Sequence, residues 1–505
     1  MLIEDRNKAD MSEVSSTLES HAGEIAPASH LQEMEELQLL PEPLVLPMAE
    51  AELLLAPAQL ELQEVLHSVQ MSYPKVLSAI LERQIADGKQ ASAAGEFDLK
   101  VKGFGIAAPM GYYKTYRNGI SLEQPLYGGG YAYGGYKIGD GNFEPWYGER
   151  ATNEGGEFAL GLGTPLLQGR TIDKRREALL KSTVARQAVE PAIQAQVLEV
   201  VRLASINYWY WVAAGQAVDA QRALLELAQH RVNQIEERVK AGDLPQIVRI
   251  NNDQLIASRE AKVIQSERKL QQAAIKLSLY LRRDDGEPII PAESQLPRLF
   301  PASSLPDSNE LASDIAQAVA ASPELRELNM QAQQLRIELA RAENMLLPQL
   351  DASILAKKDV GAAASPKGDK TPFQLEAGLY GEIPLQRRKA RGMIESVQGK
   401  LTQNEIKRQF AVNRVTAAVQ DAVSALQASA ERIKRANTNL RLAAQTLDLG
   451  REQFNAGDID LISLNIYEQS ATDARFLLIE AQADYFAAMA DYRAALSIAP
   501  PGSRR

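Results

Sequence analysis

The chain has 505 residues, about three domains' length by the usual prior, of which 45% are apolar, only 6% are aromatic and none is cysteine. That mix favours long alanine- and leucine-rich helices over a thick globular core, and it excludes disulfide frameworks, thiolate metal sites, thiol nucleophiles and a lipid-modified N-terminal cysteine. Residues 1 to 70 hold fourteen acidic and two basic side chains, so −12 of the net charge of −10 belongs to one end and the remainder carries +2; no basic patch interleaved with aromatics points to nucleic acid.

In chain order, residues 1 to 58 mix Glu, Ser and Pro, with apolar runs cut by Pro41, Pro43, Pro47 and Pro57, and predict a disordered or extended leader. The opening MLIEDRNKAD lacks the basic and apolar regions of a secretory signal, and no window of eighteen uncharged apolar residues predicts a transmembrane helix. Residues 60 to 95 read as helical, with Pro74 marking a helix start. Between 97 and 165 the character changes: glycine, tyrosine and alternating apolar and polar residues, as in FDLKVKGFGI, GISLEQPLYGGGYAYGGYKIG and EFALGLGTPL, predict strands separated by loops.

A helix is predicted from 168 to 240, a stop at Ala241-Gly242-Asp243, and a second helix from Leu244 to about 283. A proline-rich connector follows at 284 to 307. A helix at 308 to 346 leads to the strands LDASILAK and FQLEAGLYGEIP, separated by a turn at Gly361 to Asp369. The last third repeats the scheme with a helix from 387 to 455, a stop at Ala456-Gly457-Asp458 and a helix from 461 to 497. The domains expected are therefore the leader at 1–58, a first repeat at 59–283, the connector at 284–307, a second repeat at 308–498 and a tail at 499–505.

Duplication is the decisive signal. A shift of 215 superimposes the two Ala-Gly-Asp stops and aligns a seven-residue ladder, Val197, Ala204, Trp211, Val218, Leu225 and Val232 falling on Val412, Val419, Leu426, Ile433, Leu440 and Leu447. Beyond the stops, Ile256, Val263, Leu270 and Leu277 fall on Ala471, Leu478, Tyr485 and Tyr492. A companion ladder is small in the second half, with Ala422, Ser429, Ala436 and Ala443 and then Ala474, Ala481, Ala488 and Ala495. Small residues at a strict seven-residue period let helices approach closely and supercoil, so both halves predict antiparallel coiled-coil hairpins. A helix of about 70 residues spans roughly 105 Å, whereas its return partner of about 38 covers only ~57 Å; the helix at 308 to 346 has the length to complete the return. The strands then gather at one end and the two stops at the other.

Four to six strands cannot close a barrel wide enough to hold anything, and their edges cannot stay unpaired, so several chains must pool them. Half of the sixteen tyrosines lie between 112 and 147. Tyr112, Tyr113, Tyr127, Tyr131 and Tyr133, with Trp146, are candidates for a membrane-interface aromatic belt. Gly242 and Gly457 permit a helix-ending reversal, and Asp243 and Asp458 are candidates to cap the outgoing helices. Basic residues after the strands, Arg170, Lys174, Arg175, Arg176, Arg387, Arg388, Lys389 and Arg391, form a candidate collar for anionic head groups.

In this layout the chain resembles the TolC-like outer-membrane efflux proteins over roughly residues 60 to 498. The resemblance rests on the duplicated scheme, the openings SYPKVLSA and ASPELREL, the junctions TPLLQGR and IPLQRRKARG, and the turns KAGDLPQI and NAGDIDLI. It implies a mostly α fold whose strands are pooled into a trimeric membrane β-barrel, four strands per chain making twelve. It also implies a passive exit duct that meets a periplasmic adaptor and an inner-membrane transporter in the outer-membrane lipids. The turn tips Gly242, Asp243, Gly457, Asp458, Asp460 and Ser463 become gate candidates. Family members place acidic residues six and nine positions beyond the second turn's glycine, where this chain has Ser463 and Ile466, leaving Asp458 and Asp460 as the nearby carboxylates. The strand region at 97 to 165 is longer than the second, which predicts either a large surface loop or additional strands.

Catalysis and cofactors are not expected. His21, His30, His67 and His230 are scattered, and GGGYAYGG lacks the Lys-Ser/Thr of a phosphate cradle and opens no helix. The competing reading is a soluble coiled-coil scaffold whose β segment binds a partner.

Overall fold

A computed structural model describes residues 59–303, 310–363 and 370–498. The expectations for the leader at 1–58 and the tail at 499–505 lie outside the described residues. Helices α1 (Leu62–Ser72) and α2 (Pro74–Ala94) are separated at Tyr73, which is extended. The ring of Pro74 disfavours the helical region for the residue before it, while its missing N–H is harmless at a first helical position.

Next come strands β1 (Lys100–Ala108), β2 (Thr115–Pro125), β3 (Tyr131–Gly141) and β4 (Glu157–Pro165), and then the 67-residue helix α3 (Lys174–Lys240) and its return α4 (Gln246–Leu277). The second half holds α5 (Leu311–Ala321), α6 (Pro323–Asn344), β5 (Gln349–Asp359), β6 (Gln374–Glu382), the 69-residue α7 (Arg388–Ala456) and α8 (Leu461–Ala495). The single helix expected at 308 to 346 is two. Ser322 leaves the helical region before Pro323 and accepts a bond from the Leu325 N–H, capping α6.

At ~1.5 Å per residue α3 and α7 are each about 100 Å long. Each is lined by shorter helices in series. α4 and α8 pack on the portions near the turns, while α6 lies against both long helices nearer the strands. The predicted ladder is largely buried: Ala204, Trp211 and Val218 in α3, with Val419, Leu426 and Ile433 at the same spacing in α7. The companion residues Ala422, Ser429, Ala436, Ala474, Ala481 and Ala488 are buried as well. Leu225 and Val232 are only half-buried, because toward the turn the buried stripe of α3 moves to Leu224, Ala228 and Ile235. A 3.6-residue helix drifts ~20° per heptad against a strict sevenfold repeat, and two heptads suffice to change the inward residue.

The largest core lies halfway along the helices. There Val65 and Val69 of α1, Trp211 and Val212 of α3, Leu277 of α4, Phe300 of the connector and Ile479 of α8 meet. Each such side chain contributes ~1.5–3 kcal/mol of burial, so this belt fixes the connector to both hairpins.

The six strands form one antiparallel sheet in sequence order, β1 to β6. The long first strand region therefore contains two additional strands.

Candidate functional site

The register sorts the sheet into an apolar face and a face that carries nearly all of its charge, the latter with Phe104, Ile106 and Leu355 as apolar exceptions. Directly opposed residues share a face, and the pairs Val101↔Leu122, Ile120↔Tyr136, Tyr136↔Phe158, Leu162↔Ile354 and Ala352↔Leu379 carry one apolar surface across all six strands. It is open to solvent in the single chain, with Leu160 68% and Leu379 74% exposed. The charged exceptions Asp140 and Lys358 stand at the strand ends far from the helices.

The other face carries Lys102, Arg117, Glu123, Lys137, Glu157, Lys357 and Glu376, with ion pairs Lys102–Glu123, Lys137–Glu157 at 3.0 Å and Lys357–Glu376 at 3.1 Å. On it opens a concavity of about 380 Å³, lined by Arg117, Lys137, Lys357 and Lys370 against Glu157 and Asp359. The strands have 9 to 11 residues, the length a strand tilted by ~45° needs to cross a bilayer's hydrocarbon core.

The tyrosines divide between these faces and between the strand ends. Tyr112, Tyr113 and Tyr116 lie at the end far from the helices, where Tyr112 and Tyr113 make an edge-to-face pair at 4.8 Å. Tyr127 lies at the near end, exposed and stacked on Phe97 at 4.3 Å. Tyr131 and Tyr133, candidates for the membrane-interface belt, stand on the charged face opposite Gly163 and Gly161. Their rings cover glycines: a Cβ on Gly163 would lie 2.7 Å from Tyr131, and one on Gly135 would lie 2.6 Å from the Tyr133 hydroxyl. The side chain of Trp146 lies outside the described residues.

The basic collar also divides. Asp173 caps α3 by accepting from the Arg176 N–H at 2.9 Å. The Arg176 guanidinium donates to the carbonyls of Arg170 at 2.7 Å, Thr171 at 3.0 Å and Gly169, so it fastens the strand-to-helix bend instead of reaching outward. Arg175 lies over the Phe97 ring. Arg387 has φ of 51°, a conformation few non-glycine residues adopt, at the start of α7. Arg170, Lys174, Arg388, Lys389 and Arg391 are exposed.

At the opposite end the two turns are built alike. Gly242 and Gly457 are left-handed, with φ of 82° and 85°. The Asp243 N–H donates to the Arg238 carbonyl and the Asp458 N–H to the Gln453 carbonyl, both at 2.9 Å, the six-to-one bond of a glycine-terminated helix. Asp243 and Asp458 do not cap the outgoing helices. Two residues intervene, so Pro245 occupies the cap position of α4 and Asp460 that of α8, accepting from the Ser463 N–H at 2.8 Å. Bonds from Ser463, side chain first and backbone second, hold the Asp460 carboxyl below its ordinary range. Ile462 and Ile466 beside it are exposed.

A feature without a sequence signal joins the two hairpins. Arg259 of α4 and Arg231 of α3 both bind Glu468 of α8, at 2.8 and 2.9 Å, with the Arg259 and Glu468 side chains each 2% exposed. Arg259 also donates to the Leu224 carbonyl at 2.6 Å and to Asn465 at 2.7 Å. Burial lowers the Arg259 pKa against the raising effect of Glu468, as expected for a desolvated cation with one strong partner.

Solved proteins share this overall fold. The outer-membrane channel OprN is similar over 86% of this chain and 89% of its own, with a TM-score of 0.63 at 14% identity. CusC, described for its transmembrane channel formation, is similar over 86% and 91%, with a TM-score of 0.61 at 14% identity. The MtrE outer-membrane channel of Neisseria gonorrhoeae, in its open state, is similar over 86% and 88%, with a TM-score of 0.60 at 14% identity. The chain has the TolC-like outer-membrane channel fold. No family model matches the sequence, and no curated protein does. Among the described residues no helix is long and apolar enough to cross a membrane, and no group of metal-ligating side chains occurs.

Proposed function

We propose that the protein is an outer-membrane exit duct, three copies pooling their strands into one membrane barrel from which the paired hairpins extend into the periplasm. The observation that carries this reading is the two-faced sheet. Its apolar face suits lipid and its ion-paired face suits a water-filled lumen. An exposed apolar sheet with two open edges is an aggregation site in water, and this weighs against a soluble scaffold.

The duct acts passively, handing on small molecules or polypeptides delivered by an inner-membrane transporter through a periplasmic adaptor. The turn tips Gly242, Asp243, Gly457, Asp458, Asp460 and Ser463 are the proposed docking and gating end, where rotation or splaying of the hairpins opens the pore. Arg170, Arg388 and their exposed neighbours are proposed to face the lipid head groups. The reading is tested by fractionating cells that express the protein. Expected is an outer-membrane pellet that yields trimers in detergent; a monomer in the soluble fraction contradicts it.

A further inference from the structure

We infer that all six strands of each chain line the barrel, so that three copies close a wall of eighteen strands, with β1 of one copy paired to β6 of the next. The inference rests on the trimeric reading above and changes its geometry: three times four strands make the twelve implied by the family resemblance, whereas three times six make eighteen.

The hairpin β2–β3 behaves as wall and not as a loop folded over the mouth. Its residues alternate in phase with the flanking strands, Ile120, Leu122 and Tyr136 on the apolar face and Arg117, Glu123 and Lys137 on the charged face. It also reaches the full depth of the sheet. A Cβ on Gly129, in its near-helix turn, would meet Pro165 and the Gly169 carbonyl at 3.2 Å and Arg176 at 3.0 Å, and the neighbouring Tyr127 is stacked on Phe97. The turn thus rests on the same strand-to-helix bend in which β4 ends. A surface loop needs neither the alternation nor the depth.

The two outer strands suit each other. β1 enters from α2 and β6 returns to α7, so six antiparallel strands leave edges that run in opposite directions and can continue the antiparallel pattern between copies. Both edge strands have nine residues and are exposed along almost their whole length. β1 carries Lys100 and Lys102 and no acid, β6 carries Glu376 and Glu382 and no base, and all four stand on the charged face. A second copy of this chain is therefore the occupant that the edge chemistry fits, and closure removes both open edges. A wall of ~16–18 strands leaves an aqueous channel instead of a filled interior.

The absence of cysteine allows single-site labelling of the full chain in liposomes. Ile120→Cys and Ser121→Cys report on the added hairpin, with Ile354→Cys and Ser353→Cys in β5 as references. Expected is equal loss of fluorescence at positions 120 and 354 on adding lipids with quenching acyl chains, and reaction of 121 and 353 with a charged maleimide. Quenching at 354 without quenching at 120 removes the hairpin from the wall and overturns the inference, while the duct reading stands. Quenching at neither overturns both. The seam is tested by Gly103→Cys combined in turn with Leu375→Cys, Ala377→Cys and Leu379→Cys, all on the apolar face. At least one pair is expected to give disulfide-linked trimers; no intermolecular product from any pair overturns the β1–β6 contact.

Discussion

Glu468 is the residue on which the two hairpins depend most sharply. It neutralises two guanidiniums in a nearly water-free position, and removing one partner of such a group leaves charge buried and uncompensated. Glu468→Gln is expected to destabilise the protein by about 3–5 kcal/mol, read as a fall in the thermal unfolding midpoint, whereas breaking the exposed pair Arg408–Glu405 changes stability by less than about 1 kcal/mol. Equal effects of the two substitutions contradict the buried clasp. On the sheet, Arg117 faces the concavity with Lys137, Lys357 and Lys370. Arg117→Glu should move ion selectivity toward cations in reversal-potential measurements, because the charge at this position changes by two units in each chain, from positive to negative. An unchanged reversal potential places Arg117 outside the conduction path. The clasp could not be read from the chain: Arg259 and Glu468 are 209 positions apart, and neither belongs to a local pattern.

At the scale of elements, the long helices were legible because three independent signals agreed: the sevenfold ladder, the small companion residues and the glycine stops. Gly457→Ala forces a Cβ into a left-handed position and is expected to cost ~1–2 kcal/mol locally, seen as faster hydrogen exchange in the last turn of α7; unchanged exchange there contradicts the strain. The cap assignment failed because the aspartate after each glycine is used in ending the incoming helix, and the cap of the outgoing helix lies two residues further on.

Strand number was less legible. In β3, YAYGGYKIGDG, Tyr131 and Tyr133 face the charged side while Tyr136 faces the apolar side, the switch falling across Gly134-Gly135, so composition gave no consistent inward residue. Helix joints also carry a pH signature. Burial first, then neighbouring acids, raises the pKa of Tyr208, whose hydroxyl donates to the Leu60 carbonyl. Burial first, then the bond to Asp314, raises that of Tyr492. In the unfolded chain both ionise near pH ~10, so their contribution is complete below that pH and is lost as pH rises further. Alkaline unfolding should become less steep in a Tyr208→Phe, Tyr492→Phe double variant, and an identical pH profile contradicts this linkage.

For the whole molecule, length and chemistry lead to the same conclusion. Helices of about 100 Å hold a sheet at one end and paired turns at the other, and the sheet is complete only when its edges and its apolar face are covered. Fold class and duplication were written in the sequence as periodicity; the division of the sheet into an apolar and a charged face needed the register, because a one-residue shift between strands exchanges the two faces. The most direct test of the account is to purify the full chain and add it to planar lipid bilayers. The account predicts discrete conductance steps from a trimer. A protein that remains monomeric, leaves the bilayer silent and keeps its sheet away from lipid contradicts it.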